Sequence, residues 1–231
     1  MGTGLLMTDK SLQARSTLDH ELTRLRDNVL KLSHLVDRAI EGSVQALKDA
    51  NVDLARQVIA DDEQINALRY EVEQHCYLLL ALQQPTARDL RAIVTAIHIA
   101  VELERMGDHA RGIAKLAIQL AQEPPLKPLI DIPRMTVVCH EMLHASLDAY
   151  LTRNAELAER TARRDDEVDQ LDEQVYRELL TYMLADPRNI TRATQLLWVS
   201  HNLERIADRI TNICERVVFM VTGEITESGD R

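Results

Sequence analysis

Two hexapeptides carry the chemistry that stands out in this chain: LERMGD at 103–108 and LERIAD at 203–208. Each holds a glutamate and an aspartate four residues apart, Glu104 with Asp108 and Glu204 with Asp208. On a helix, positions i and i+4 share a face, so each pair stacks two carboxylates. Like charges so placed cost about 0.2–0.5 kcal/mol per pair. A duplicated acid pair therefore calls for a compensating cation, either an arginine or a metal ion. The arginines within reach along the chain are Arg91, Arg105 and Arg111 for the first motif, and Arg205 and Arg209 for the second.

More acids stand at the same level. The midpoints between Asn66 and Glu104, and between Asp62 and Asp108, both fall at residue 85, a proline. An antiparallel hairpin turning there, with a rise of about 1.5 Å per residue, brings these four positions side by side. Asp169 with Glu204, and Asp165 with Asp208, are centred in the same way on Asp186–Pro187. The candidate ligand sets are thus Asp62, Asn66, Glu104 and Asp108, and then Asp165, Asp169, Glu204 and Asp208. The row Ile97, Val101, Glu104, Asp108 continues an apolar seam into the acids, which predicts that they are half-buried. Several unpaired carboxylates in such a place cannot all stay ionised. Divalent or trivalent cations with oxygen ligands would relieve them, with iron, zinc, manganese and magnesium as candidates. Spacing alone leaves the arginine and metal readings open. His201, three residues before Glu204, is either an extra ligand or a histidine hydrogen-bonded near the seam.

The elements that must position these residues are helices. Of 231 residues, 45% are apolar, yet seven are aromatic (one Trp, five Tyr, one Phe) and seven are glycine. That composition favours long helices packed through Leu, Ile, Val and Ala. The stretch QEPPLKPLIDIP at 122–133 separates two halves, and weaker breaks at DANVD (49–53) and TRNAE (152–156) divide each half further. Helices are expected over 17–49, 53–83, 87–121, 133–152, 155–185 and 189–222. The halves are copies: DANVDLARQVIADDEQINAL (49–68) aligns without a gap on TRNAELAERTARRDDEVDQL (152–171). The fold class is all-α, two tandem antiparallel three-helix bundles related by a pseudo-two-fold axis. Residues 1–17 are read as an N-terminal tail, 18–121 as the first repeat, 122–132 as the linker, 133–222 as the second repeat and 223–231 as a C-terminal tail.

The bulk numbers restrict function as well. A formal net charge of −10 disfavours a nucleic-acid partner. No apolar run approaches the roughly 20 residues that span a bilayer, and MGTGLLMTDK is too short in apolar residues for a signal peptide. Cys76, Cys139 and Cys214 lie far apart and read as reduced, buried small hydrophobes. A cytoplasmic chain is expected, touching a membrane only through partners.

Two enzyme readings are weighed against the repeat. HEMLH at 140–144 fits the HExxH zinc-protease pattern, with Glu167 as a conceivable third ligand. Leu147 and Tyr150 stand where the longer metzincin form needs glycine and histidine. In the repeat register His140, Glu141 and His144 correspond to Asp37, Arg38 and Glu41, so the motif reads as a coincidence on a solvated face. A ferritin-like di-iron centre needs Glu-x-x-His on two helices, and Glu141-x-x-His144 is its one match. Nothing in the sequence supplies a nucleophile with its base.

The segments QQPTARDLRAIVTAIHIAVELERMGDHARGIA (83–114) and NLERIADRITNICERVVFMVTGE (202–224) resemble the two signatures of the PhoU family of phosphate-uptake regulators. The resemblance extends over about 18–224. It implies two three-helix bundles in a cytoplasmic, often dimeric protein that binds metal clusters through E/DxxxD motifs. It also implies restraint of the phosphate-specific ABC transporter, through its ATPase subunit, and of a phosphate-sensing histidine kinase. Carried over by position, the motif acids are Asp62, Glu104 and Asp108, then Asp165, Asp169, Glu204 and Asp208. Asn66 departs from the usual aspartate and implies a weaker first cluster; Ala207 departs from the usual glycine. The alternatives are an accessory protein of another phosphate transporter or a carboxylate-metal enzyme, a di-iron oxidase or a phosphoesterase.

Overall fold

Strong helix formers dominate every segment between the proline-marked breaks, and the chain folds into rods accordingly. The computed structural model describes residues 3–83 and 85–224, with side chains from Ser16 onward. The first bundle comprises α1 (Thr3–Lys48), α2 (Val52–Gln83) and α3 (Ala87–Leu120). The second comprises α4 (Asp131–Thr152), α5 (Ala155–Ala162), α6 (Asp165–Ala185) and α7 (Ile190–Thr222), with a short 3-10 turn at Pro187–Asn189. Among the described residues there is no strand.

Two expected boundaries shift. The first helix begins at Thr3 rather than near residue 17; neither glycine nor proline interrupts the chain between Gly4 and Gly42. Most of the expected N-terminal tail is therefore helical, while residues 225–231 of the expected C-terminal tail lie outside the described residues. The fifth rod, expected as one helix over 155–185, is split at Arg163–Arg164. There the Arg164 N–H bonds the Thr161 carbonyl at 3.0 Å, a tightened i→i−3 turn. Asp165, Asp166 and Glu167 then occupy the first turn of α6, where the positive end of the helix dipole favours them. α2, continuous through the equivalent Ala60–Asp61, has no such break.

The repeat is visible in matching turns. Asn51 and Asn154 each cap the following helix, their side-chain oxygens accepting from Leu54 N and Leu157 N at 3.0 Å. The residues just before them, Ala50 (φ 50) and Arg153 (φ 54), adopt the left-handed conformation that ends α1 and α4. The linker is pinned rather than loose. Lys127 is buried and bonds Glu178 of α6, and Arg192 of α7 donates to the Pro124 carbonyl at 3.0 Å.

The bundles dock through α3 against α7 and α1 against α4. Side-chain contacts across α3 and α7 are reciprocal: Glu102 Oε2 meets Arg209 Nη1 at 3.5 Å, and Asn202 Oδ1 meets His109 Nδ1 at 3.0 Å. Positions 102 and 202, and 109 and 209, are repeat equivalents, so a pseudo-two-fold axis passes between these helices. Leu103, Met106 and Ile113, with Leu203, Ile206, Ile210 and Ile213, form fully buried rows along them. Gly112 allows the close approach, since a Cβ there would lie 3.2 Å from Asn202 Oδ1.

Candidate metal centre

The two candidate quartets occupy equivalent places but are stabilised differently. In the first, Asp62 on α2 is buried, its side chain 7% exposed, and faces Arg111 of α3 with Oδ2 to Nη1 at 3.1 Å. Arg111 Nη2 also donates to Asp108 Oδ1 at 2.6 Å, so one guanidinium bridges two of the acids. Asn66 Nδ2 donates to Asp62 Oδ2 at 3.1 Å and to the Asp62 carbonyl at 3.0 Å. Burial, opposed by Arg111, raises the Asp62 carboxyl above its ordinary range, and burial with Asp108 raises Glu104. The arginine reading thus holds for Asp62 and Asp108, with Asn66 acting as donor.

The second quartet lacks that bridge, because Thr211 stands at the position equivalent to Arg111. Arg205 Nη1 donates to Asp208 Oδ2 at 2.9 Å, while its Nε lies 3.4 Å from Glu204 Oε2. His201 Nδ1 is 3.2 Å from the same oxygen, yet neither group is aligned for a hydrogen bond, and Glu204 Oε2 is buried without one. Asp165 Oδ1 is also buried with no hydrogen-bond partner. Burial, then the charges of Asp169, Asp208, Glu204 and Asp166, push the Asp165 carboxyl up to about 7. Asp169 and Glu204 are raised too, by burial first and by Asp208 next. This is an electron-rich site short of positive charge.

Neither quartet draws three ligand atoms tightly together. Among the described residues, the one set of His, Cys, Asp or Glu ligand atoms lying within 4.8 Å of one another is Asp37, His140 and His144. Mutual repulsion and the pull of Arg111 and Arg205 keep the acids of each quartet apart. The second quartet nonetheless has the donor set a cation fits, with two orphaned buried oxygens; the first has its charge partly neutralised already.

HEMLH turns out to be more than a solvated stretch. Glu141 is held by Arg164, Oε2 to Nη2 at 2.8 Å, and Glu167 is held by the same arginine, so a protease base and third ligand are both engaged elsewhere. The two histidines instead face Asp37 of α1, the repeat equivalent of His140. The signal was present in the register: residues related by a two-fold axis meet where that axis crosses a helix pair. The cysteines match expectation. Cys76, Cys139 and Cys214 are free and buried, and burial pushes each thiol up to about 12, which leaves them inert. No described helix is long and apolar enough to cross a membrane.

These features define a duplicated helical-bundle protein with a carboxylate cluster between the second and third rods of each repeat. The PhoU domain profile matches residues 29–117 and 132–217, one match per bundle. The chain belongs to the PhoU family. It is 42% identical over 207 residues to the phosphate-specific transport system accessory protein PhoU homolog of Aquifex aeolicus, covering 90% of this chain and 94% of that one. The crystal structure of PhoU from Pseudomonas aeruginosa superposes with a TM-score of 0.85 at 36% identity, covering 89% of this chain and 99% of that one. That of the phosphate transport system regulatory protein PhoU from Streptococcus pneumoniae gives 0.84 at 33% identity, covering 91% and 99%.

Proposed function

We propose that this chain is a non-catalytic, metal-binding accessory protein of phosphate-specific transport, restraining the transporter's ATPase subunit and a phosphate-sensing histidine kinase in the cytoplasm. The observation that carries the metal reading is the second quartet, where Asp165 Oδ1 and Glu204 Oε2 are buried without hydrogen-bond partners. Asp165, Asp169, Glu204 and Asp208 would hold a divalent or trivalent cation, which would supply the positive charge these acids lack. Asp62, Glu104 and Asp108, with Asn66, would hold one more weakly, in competition with Arg111.

Contact with other proteins is supported by the apolar side chains left exposed near the tips of both hairpins. Leu78, Leu82 and Leu90 flank the first tip, and Leu180, Leu184 and Ile190 the second. Equivalent apolar surfaces on two related bundles suit a homodimer or two similar docking partners. The names of the relatives, which refer to phosphate-specific transport, support the choice of system. Deleting the gene should leave the phosphate-starvation response switched on in phosphate-rich medium; normal repression in that strain would defeat the regulatory reading. The purified protein should hydrolyse neither peptides nor phosphate esters, and turnover lost in Glu204→Ala/Asp208→Ala would make it an enzyme instead.

A further inference from the structure

We propose that Asp37, His140 and His144 form a site for a divalent transition-metal ion of the zinc type, which clips the first repeat to the second. His140 and His144 sit one turn apart on one face of α4. Their rings lie together, with centroids 4.4 Å apart. Both reach across to one carboxylate on α1: His140 Nδ1 is 2.7 Å from Asp37 Oδ1, and His144 Nε2 is 3.3 Å from Asp37 Oδ2. All three candidate ligand atoms fall within 4.8 Å of one another.

The exposure of the ligands is graded in a useful way. The Asp37 side chain is 14% exposed and set in the helix pair, whereas the histidines are 46% and 61% exposed, with open space beside them for a ring to shift. Ligands bonded to one zinc at about 2.0–2.2 Å stand roughly 3.3 Å apart in a tetrahedron. Closing from the observed spread therefore takes a ring movement of about 1 Å at exposed side chains. A cleft of about 150 Å³ beside the site, lined by His34, Asp37, His144 and Asp148 among others, leaves room for water as the fourth ligand. Two imidazoles and one carboxylate suit zinc, cobalt or nickel rather than magnesium or calcium, unlike the oxygen-only quartets.

The role is structural rather than hydrolytic. Glu141, the residue that would act as base in a zinc protease, is tied to Arg164. What the ion would join is α1 and α4, residues 37 and 140, across the boundary of the repeats. Asp37 and His140 are repeat equivalents that meet near the pseudo-two-fold axis, so a site there needs ligands from both copies.

The test uses the full-length chain stripped with EDTA and titrated with Zn²⁺ against a chromophoric chelator, then with Co²⁺ followed by visible absorption. Wild type is compared with His140→Gln/His144→Gln, with Asp37→Asn and with Glu204→Gln/Asp208→Asn, circular dichroism checking that each is folded. The histidine variant should lose the tightest zinc, the cobalt band of nitrogen ligation and the zinc-induced rise in Tm. Asp37→Asn should weaken zinc at least as much as the roughly 10–100-fold that losing an outer-shell partner costs. Glu204→Gln/Asp208→Asn should keep the cobalt spectrum. Equal zinc affinity and an unchanged cobalt spectrum in the folded histidine variant would overturn the proposal, as would loss of the tight zinc in the acidic variant alone.

Discussion

Arg111 Nη1 stands 3.1 Å from Asp62 Oδ2, while Asp165, the equivalent of Asp62, has an oxygen with no hydrogen-bond partner at all. The duplicated acids are thus unequal: in the first set Arg111 reaches the buried aspartate, whereas in the second Arg205 lies against Glu204 and Asp208 and leaves an oxygen of Asp165 unpartnered. Arg111→Gln should cost the metal-free protein about 1–3 kcal/mol, less than a fully buried pair because the arginine is partly exposed. It should also raise Mn²⁺ uptake at the first quartet, measured by elemental analysis after dialysis. Glu204→Ala/Asp208→Ala should remove the more tightly held metal. Unchanged metal content in both variants would return both quartets to simple ion pairing.

The Asp165 carboxyl gives a signed pH dependence. Its value in the fold, about 7, lies above the ordinary 3.8, so the folded state holds the proton that the unfolded chain releases. Stability from this group is full below about pH 4, is lost as pH rises towards 7, and is level above that. The Tm of metal-free protein should therefore fall from pH 5 to pH 7.5 more steeply in wild type than in Asp165→Asn. Identical slopes would show that Asp165 ionises normally. Saturating Mn²⁺ should flatten the wild-type slope, since a bound cation favours the ionised acid.

Packing beside the first quartet predicts a coupled pair. A Cβ on Gly107 would lie 3.0 Å from the buried Ile65 side chain, and the second repeat has Ala207 with the shorter Val168 at the equivalent positions. Gly107→Ala overpacks the site by about 1–3 kcal/mol, against a helix-propensity gain of about 1 kcal/mol. With Ile65→Val added, the same change should become stabilising. A double-mutant cycle by urea unfolding should show favourable coupling of about 1 kcal/mol; strict additivity would mean that Ile65 has room to move.

Ala50 ends α1 with φ 50 and is exposed. A left-handed residue with a Cβ costs about 1–2 kcal/mol, partly offset by the greater freedom of glycine in the unfolded chain. Ala50→Gly should thus raise stability by roughly 0.5–1 kcal/mol. A lower Tm would show that the turn is not strained.

Much of the architecture was legible from spacing. Prolines and the 49–68/152–171 repeat placed the rods, and the midpoints at residue 85 and at Asp186–Pro187 put the acids at one level, because the helical rise is constant along any rod. The split at Arg163–Arg164 was not, since no glycine or proline marks it and the contact of Arg164 with Glu141 of a neighbouring helix forms only in the fold. Nor was the cation at each quartet. Arg111 turns to Asp62 while Arg105, on the same helix, lies against Glu102, a choice set by how α3 is rotated against α2 and α7. The meeting of Asp37 with His140 and His144 was half legible: the register makes residues 37 and 140 equivalents, but that α1 and α4 pair there is set by the docking of the bundles. Helical periodicity determines which residues share a face and a level, whereas which faces of distant segments meet is decided by the packing of whole bundles around their pseudo-two-fold axis.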